Sequence, residues 1–432
     1  MKRILLPLFS LAVFSLALIS QTPTPDRYPV LTEGEAETVG LSPERLARID
    51  RMCEEAVETD QVPGMVALVA RNGKIAYWKA YGTADVETGK KFRKDDIFRI
   101  ASQSKAITAT AVMMLWEEGW FQLDDPVSRF IPAFAHPQVL ETFHFSDTTW
   151  TGRPAASEIT IRELLNHTSG LGYGLIDGDE RFRMIYQKAG VTDLFTTEPV
   201  TIRESVEKLA TLPLHHDPGT DWVYSEGLDV LGYLIEVVSG MPFDQFLQTR
   251  LFDPLGMDDT GFYLPDRKAD RLVPVQRPAN GSWERYPVTF YDPQYPVKGA
   301  KSFFSGGAGL SSTARDYAVF LQMYLNGGAY GGVRILSRTT VDFILANQIG
   351  DIWGKDADSY FGLAFSVVTQ AGQDKGGQGS AGTFSWGGYF NTQYFADPAE
   401  QVIGIIMKQT QGTNKDQTEW RFRQLVFQCV DD

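Results

Sequence analysis

Ser102-Gln103-Ser104-Lys105 opens a run in which Ala106, Ile107, Ala109, Ala111, Val112, Met113, Met114 and Leu115 are apolar nearly all round a helix. A helix of that kind belongs to a core. The four residues at its start set a hydroxyl and an amine three positions apart, on one face, with roughly 5–6 Å between Cβ atoms. A serine is inert at its own pKa and needs an adjacent base, and this spacing lets Lys105 reach Ser102. The tetrapeptide alone decides little, because Ser205-Val206-Glu207-Lys208 repeats it inside the charged amphipathic stretch 201–212. Ser205 reads as part of a solvated helix face and Ser102 as the mouth of a buried helix.

Outward from that helix, Leu46, Ile49, Met52, Cys53, Ala56 and Val57 recur at helical spacing behind Ser42-Pro43, which predicts a helix over 43–59 with Ser42 as its cap. Strand-like runs at 65–70 and 75–80 flank Asn72-Gly73, a dipeptide that tolerates the positive φ angles of a tight hairpin. Residues 120 to 290 read mostly as helices and long loops, among them 159–165, 201–212 and 228–239, and suggest an inserted all-helical lobe. Beyond it come a helix at 313–326, strands at 383–386, 392–396 and 401–408, and a closing helix at 417–430. Strands at both ends with helices between them imply an α/β (α+β) fold whose sheet is assembled from the two chain ends. The expected layout is an extended segment at 21–41 and one domain at 42–432, with its lobe at about 120–290. No internal repeat is present, and the glycine-rich stretch 376–382 reads as a flexible loop.

The chain has 432 residues, 43% of them hydrophobic, enough for a large core, and a formal net charge of -14. That balance argues against nucleic acid and anionic lipid, both of which need a basic face. Met1-Lys2-Arg3 followed by the apolar run 4–19 has the form of an export signal at 1–20. The expectation is a periplasmic or extracellular protein with no stable membrane span after processing. The two cysteines, Cys53 and Cys429, fall in the first and last predicted helices, so a disulfide is permitted if those helices pack side by side. None of the five histidines has zinc-site spacing, and neither a metal nor a cofactor is expected.

Ser102 and Lys105 need a group that passes the serine proton to a leaving group. Tyr224 is the candidate, since it sits on a loop between the turn Asp217-Pro218-Gly219-Thr220 and the helix at 228–239. A tyrosine, with an ordinary pKa of about 10, acts as a base near neutrality only beside a cation such as Lys105. His167 reads as a structural hydrogen-bonder in a tight turn. No Gly-x-Ser-x-Gly occurs, which disfavours a nucleophile-elbow hydrolase.

Phe98-Arg99-Ile100-Ala101-Ser102-Gln103-Ser104-Lys105, Leu164-Leu165-Asn166-His167-Thr168-Ser169-Gly170-Leu171, Tyr224-Ser225 and Trp386-Gly387-Gly388 stand in this order along the chain. The chain resembles the serine β-lactamase-related hydrolases, and most of all their class C-like esterase branch. The resemblance implies a β-lactamase/transpeptidase-like fold, with an antiparallel sheet flanked by helices, a helical lobe and a site between the two. It further implies an acyl-enzyme on Ser102, proton transfer by Lys105 and Tyr224, and the third motif on a strand lining the cleft. An oxyanion hole from the backbone N–H groups of Ser102 and Tyr389 is implied as well.

Two positions depart from the family pattern. Tyr224-Ser225-Glu226 replaces Tyr-x-Asn, and literal matches at Tyr324-Leu325-Asn326 and Tyr389-Phe390-Asn391 are rejected, the first as part of a surface helix, the second as following the third motif. An ionised Glu226 only accepts hydrogen bonds and raises the pKa of Lys105. Trp386 stands where relatives carry a lysine that grips a carboxylate, and an indole suits an uncharged ester instead. The expected substrate-binding residues are therefore Trp386, Gly387, Gly388 and Glu226, with pocket walls from 121–158 and 260–301. The expected function is hydrolysis of a small-molecule ester or amide, carboxylic esters foremost. A β-lactamase or D-Ala-D-Ala peptidase is the rival in the same chemistry, and a catalytically silent ligand-binding protein is the rival outside it.

Overall fold

Residues 66–71 and 402–407 lie side by side, which joins the two ends of the chain in one sheet. The computed structural model describes residues 28–432; the segment read as an export signal lies outside the described residues. Nine strands form the sheet: β1 (Thr32–Glu33), β2 (Gly64–Arg71), β3 (Lys74–Asp85), β4 (Lys90–Lys91), β5 (Ser359–Phe361), β6 (Ser366–Val368), β7 (Phe384–Gly388), β8 (Thr392–Asp397) and β9 (Val402–Met407). Their spatial order is β1-β3-β2-β9-β8-β7-β6-β5, with β4 beside β3. Every pairing is antiparallel except β1 with β3.

Two layers of helix cover the sheet, and the alternation of side chains along β2 assigns each residue to a layer. Met65, Ala67 and Val69 pack with Ile49, Met52 and Cys53 of α1 (Pro43–Glu58), where Ser42 Oγ caps the helix by accepting from Arg45 N at 3.3 Å. Val66, Leu68 and Ala70 join the main core with α2 (Ser104–Glu117), α3 (Gly227–Ser239) and α4 (Ala314–Leu325). The closing helix α5 (Thr418–Phe427) lies on the α1 side through Phe422 and Val426. Arg71 ties the ends together, donating to Val39 O, Gly40 O and Asp432.

Three expectations are corrected here. The segment before residue 42 is more than extended chain: within its described part, β1 adds a parallel edge strand and Ala36–Val39 forms a 3-10 turn. The lobe is not all-helical, because it carries the hairpins Gln138–His144 with Thr149–Pro154 and Gln276–Ala279 with Ser282–Arg285. The second of these turns on Asn280-Gly281 with φ values of 51° and 78°, close to the 50° and 75° of Asn72-Gly73 in the β2–β3 hairpin. Lastly, α1 and α5 do pack together, yet Cys53 and Cys429 are both buried free thiols, and Cys429 Sγ donates to Leu425 O at 3.1 Å.

Candidate active site

Ser102 stands on the 3-10 turn Ala101–Gln103, which runs directly into α2. The segment before it is held by Arg99, whose buried guanidinium donates to Pro293 O (2.5 Å), Val273 O (2.7 Å) and Gln409 Oε1 (3.1 Å). Ile100 N–H adds a bond to Leu310 O at 3.0 Å. These contacts hold Ala101 at φ +43°, a left-handed conformation that costs a residue with a Cβ roughly 1–3 kcal/mol. The turn thus presents Ser102 at the helix mouth, while Ser104 faces inward and accepts from Leu310 N at 3.1 Å.

Lys105 is 1% exposed. Its Nζ lies 3.5 Å from Ser102 Oγ and donates to Tyr173 OH and Gly307 O, both at 2.8 Å. Tyr224 meets the same ammonium with its ring face, the centroid 4.5 Å away, and its hydroxyl accepts a long 3.4 Å bond from Trp386 Nε1. The phenol hydrogen-bonded to Lys105 is therefore Tyr173, which the sequence reading missed. It sits in Gly170-Leu171-Gly172-Tyr173, two residues past the second quoted motif, and that position was the available signal. The Gly306–Gly309 segment lies beside this group: a Cβ on Gly306 would come 2.3 Å from Leu228 O, so two backbones touch there.

A cavity of about 460 Å³ opens on Ser102, Tyr224 and Trp386. It continues along Gly387 and Gln393 to Phe422 and Arg423 of α5. Arg423 was not anticipated; it donates to Gln378 O and Ser385 Oγ, and burial lowers its pKa to about 10. No residue of 121–158 lines this cavity. None of 260–301 lines it either, so both expected walls are corrected; Tyr286, Tyr291 and Tyr295 pack instead in an aromatic cluster with Ala101 and Tyr389.

Gly388 closes the gap between sheet and helix. A Cβ there would lie 2.5 Å from Ile100 O and 2.2 Å from Thr392 Oγ1, so β7 approaches the turn before Ser102 only because the residue is glycine. The ladder with β8 ends at Gly388, which leaves Tyr389 N–H beyond the last paired residue. Gly388→Ala is expected to push the strand away and lower kcat by about 10²-fold, since a displacement near 1 Å costs that much. Circular dichroism and turnover of a p-nitrophenyl ester check it: a folded variant with unchanged kcat contradicts this spacing argument.

Glu226 does not reach the cavity. It is 2% exposed, and its Oε1 is buried without a hydrogen-bond partner. Burial, then the negative charge of Asp193 and Asp229, holds its pKa well above the usual carboxylate range. Ionisation, the condition under which Glu226 would bear on Lys105, is thus opposed by its burial. His167 accepts from Ser225 N at 3.3 Å, packs its ring 4.7 Å from that of Tyr224, and is kept uncharged by burial, with Lys105 adding to the effect. Two minor readings change as well. Ser205 is buried and bonds Thr192, so it is not on a solvated face, and Tyr324 is buried with its hydroxyl 2.7 Å from Thr110 Oγ1, so it is not on a surface helix.

A sheet joined from both chain ends, flanked by helices and meeting a buried helix at a Ser-x-x-Lys turn, defines the serine hydrolases of the β-lactamase fold. The chain belongs to the Beta-lactamase family, whose model matches residues 49–428. Esterase EstB of Burkholderia gladioli is 31% identical over 385 residues, 84% of this chain and 90% of that protein. Lovastatin esterase of Penicillium rubens is 29% identical over 379 residues, 83% of this chain and 91% of the esterase. Among solved structures, EstCE1, described as a hydrolase with promiscuous acyltransferase activity, matches with a TM-score of 0.74 at 26% identity, over 90% of this chain and 98% of its own. The protein is a hydrolase.

Proposed function

We propose that this hydrolase opens carboxylic esters through an acyl-Ser102 intermediate, with Lys105 and Tyr224 carrying the proton. The observation that supports it most is the placement of Lys105 Nζ 3.5 Å from Ser102 Oγ, at the edge of a cavity that Tyr224 also lines. Such contacts are often long without substrate and shorten in the reacting complex. In the proposed sequence, Ser102 Oγ attacks the ester carbonyl as its proton passes to the amine–phenol couple. The N–H groups of Ser102 and Tyr389 receive the oxyanion, a contribution that typically amounts to about 10²–10³ in kcat per donor. The carbonyl then re-forms, the alkoxide departs with the proton, and water releases the acid by the reverse route.

Esters are favoured over β-lactams and D-alanyl peptides by Trp386. Its side chain lines the cavity and spends its N–H on Tyr224 OH, offering substrate an apolar ring. A lysine's charge-assisted bond to a carboxylate, worth about 1.5–3 kcal/mol, has no counterpart from that residue. The silent-binder reading drew on an ionised Glu226, and burial, which disfavours a charge there, speaks against it. Export is part of the proposal and rests on Met1-Lys2-Arg3 and the apolar run behind it; an intact mass showing a mature chain that starts near Gln21 is the check. The central experiment is fluorophosphonate labelling with peptide mapping, alongside turnover of a short p-nitrophenyl ester and a chromogenic cephalosporin. The expected result is a tag on Ser102 and dominance of the ester. A tag elsewhere, or dominance of the cephalosporin, overturns the assignment.

A further inference from the structure

Three consecutive residues just past β9 touch the segments that carry both proposed oxyanion donors. Gln409 is buried, and its amide spends every hydrogen-bonding position it has. Oε1 accepts from Arg99 N at 3.2 Å and from Arg99 Nη1 at 3.1 Å, while Nε2 donates to Arg99 O and to Lys408 O, both at 3.0 Å. The side chain thus takes both the N–H and the carbonyl of the main chain three residues ahead of Ser102. Thr410 and Gln411 reach the other half: Thr410 N–H donates to Phe390 O at 3.1 Å, and Gln411 Nε2 donates to Tyr389 O. A second tie runs through Asn391, whose Nδ2 donates to Thr410 Oγ1 at 3.0 Å and to Asp416 Oδ2 at 2.7 Å. The same carboxylate oxygen accepts from the buried Lys408 Nζ at 2.6 Å. Gln276 backs the stretch, its N–H on Gln409 O and its carbonyl accepting from Gln411 N, both at 2.9 Å.

We propose that Gln409-Thr410-Gln411 is the brace that sets the gap between the N–H groups of Ser102 and Tyr389, with Gln409 as its principal positioning residue. The inference rests on the reading of those two groups as the oxyanion donors. They belong to segments far apart in the chain, the turn that leads into α2 and the turn between β7 and β8. Contact between Gly388 and Ile100 O limits how close the two turns come, but a contact of that kind does nothing to stop them parting. The brace resists parting, because one continuous stretch of chain holds the main chain on either side by hydrogen bonds. Donors stabilise a developing oxyanion only if they are fixed in place beforehand, and a displacement near 1 Å costs about 10²-fold. None of the three residues lines the cavity that opens on Ser102, so each acts through the backbone it holds.

Gln409→Glu keeps the shape of the side chain and its two accepted bonds from Arg99, but its second oxygen then faces the carbonyls of Arg99 and Lys408 with no hydrogen to give. The experiment compares a short p-nitrophenyl ester with its thiono counterpart, in which sulfur, a weak acceptor, replaces the carbonyl oxygen. An enzyme that works through oxyanion donors favours oxygen over sulfur by more than hydroxide in water does. Gln409→Glu is expected to lower kcat for the ester about tenfold to a hundredfold with little change in KM, and to shrink the preference for oxygen about tenfold. Gln411→Ala, at a half-buried position, removes only the tie to Tyr389 O. It is expected to give the wild-type circular dichroism spectrum and to shrink the preference in the same direction by less. A defect of packing alone slows both substrates equally and leaves their ratio where it was. An unchanged ratio in Gln411→Ala, or in a folded Gln409→Glu, overturns the brace. Fluorophosphonate mapping of wild type separates the two readings: a tag on Ser102 with an unchanged ratio removes the brace alone, whereas a tag elsewhere removes the acyl-Ser102 assignment and the brace with it.

Discussion

Ser102→Ala is expected to lower kcat for a p-nitrophenyl ester by about 10⁴-fold or more, with the melting temperature unchanged within a degree or two. Removing a serine nucleophile elsewhere costs about 10⁶ in kcat, and the remnant comes from binding and oxyanion donors alone. Here the backbone that supplies those donors is untouched by the substitution, because Arg99, Ile100 and Leu310 hold the turn through main-chain and guanidinium contacts that do not involve the Ser102 side chain. The expected signature is a variant that binds a slowly reacting ester, fails to take the fluorophosphonate tag, and gives no burst of product. Turnover within tenfold of wild type would place the nucleophile elsewhere.

Lys105→Met is the second large effect, and it acts on both rate and fold. The side-chain nitrogen serves Ser102, Tyr173 and Gly307 at once, in a position that water scarcely reaches. Losing a general base costs about 10²–10⁴ in rate. Leaving Tyr173 OH and Gly307 O without their partner adds about 1–3 kcal/mol of lost stability for each group left unsatisfied. A folded but inactive variant with a lowered midpoint in urea is therefore expected. Lys105→Arg is expected to rescue the midpoint in part and the rate hardly at all, since a guanidinium does not give up its proton. Full activity in Lys105→Arg would show that the cation acts only as a fixed charge.

What was legible in the sequence was whatever depends on short spacing. Ser102 and Lys105 are three residues apart, and the apolar run behind them announces a buried helix whatever it packs against. The strands near both chain ends were legible because their hydrophobic runs are long, as β2 and β9 show by being buried along their whole length. β5 and β6 were not, having three residues each, and β1 has two. Tyr173 escaped because its contact with Lys105 spans 68 positions along the chain. The burial of Glu226 was not legible for a related reason, since Asp193, whose negative charge acts on it, comes from a separate loop. The Asn280-Gly281 hairpin was readable by the rule applied to Asn72-Gly73 and was lost among the helices expected around it.

The pairing of residues 66–71 with 402–407 sets a timetable for biosynthesis. While the ribosome is still working, β2 finds β3 at once, across a two-residue turn, but its other edge waits for more than three hundred residues to be translated. Through that interval an eight-residue strand of almost wholly apolar composition is uncovered, the kind of segment that recruits another nascent chain. Production yield should accordingly depend on holdase chaperones more than on the finished enzyme's melting point. A chain cut just before residue 402 should precipitate rather than persist as a smaller folded unit.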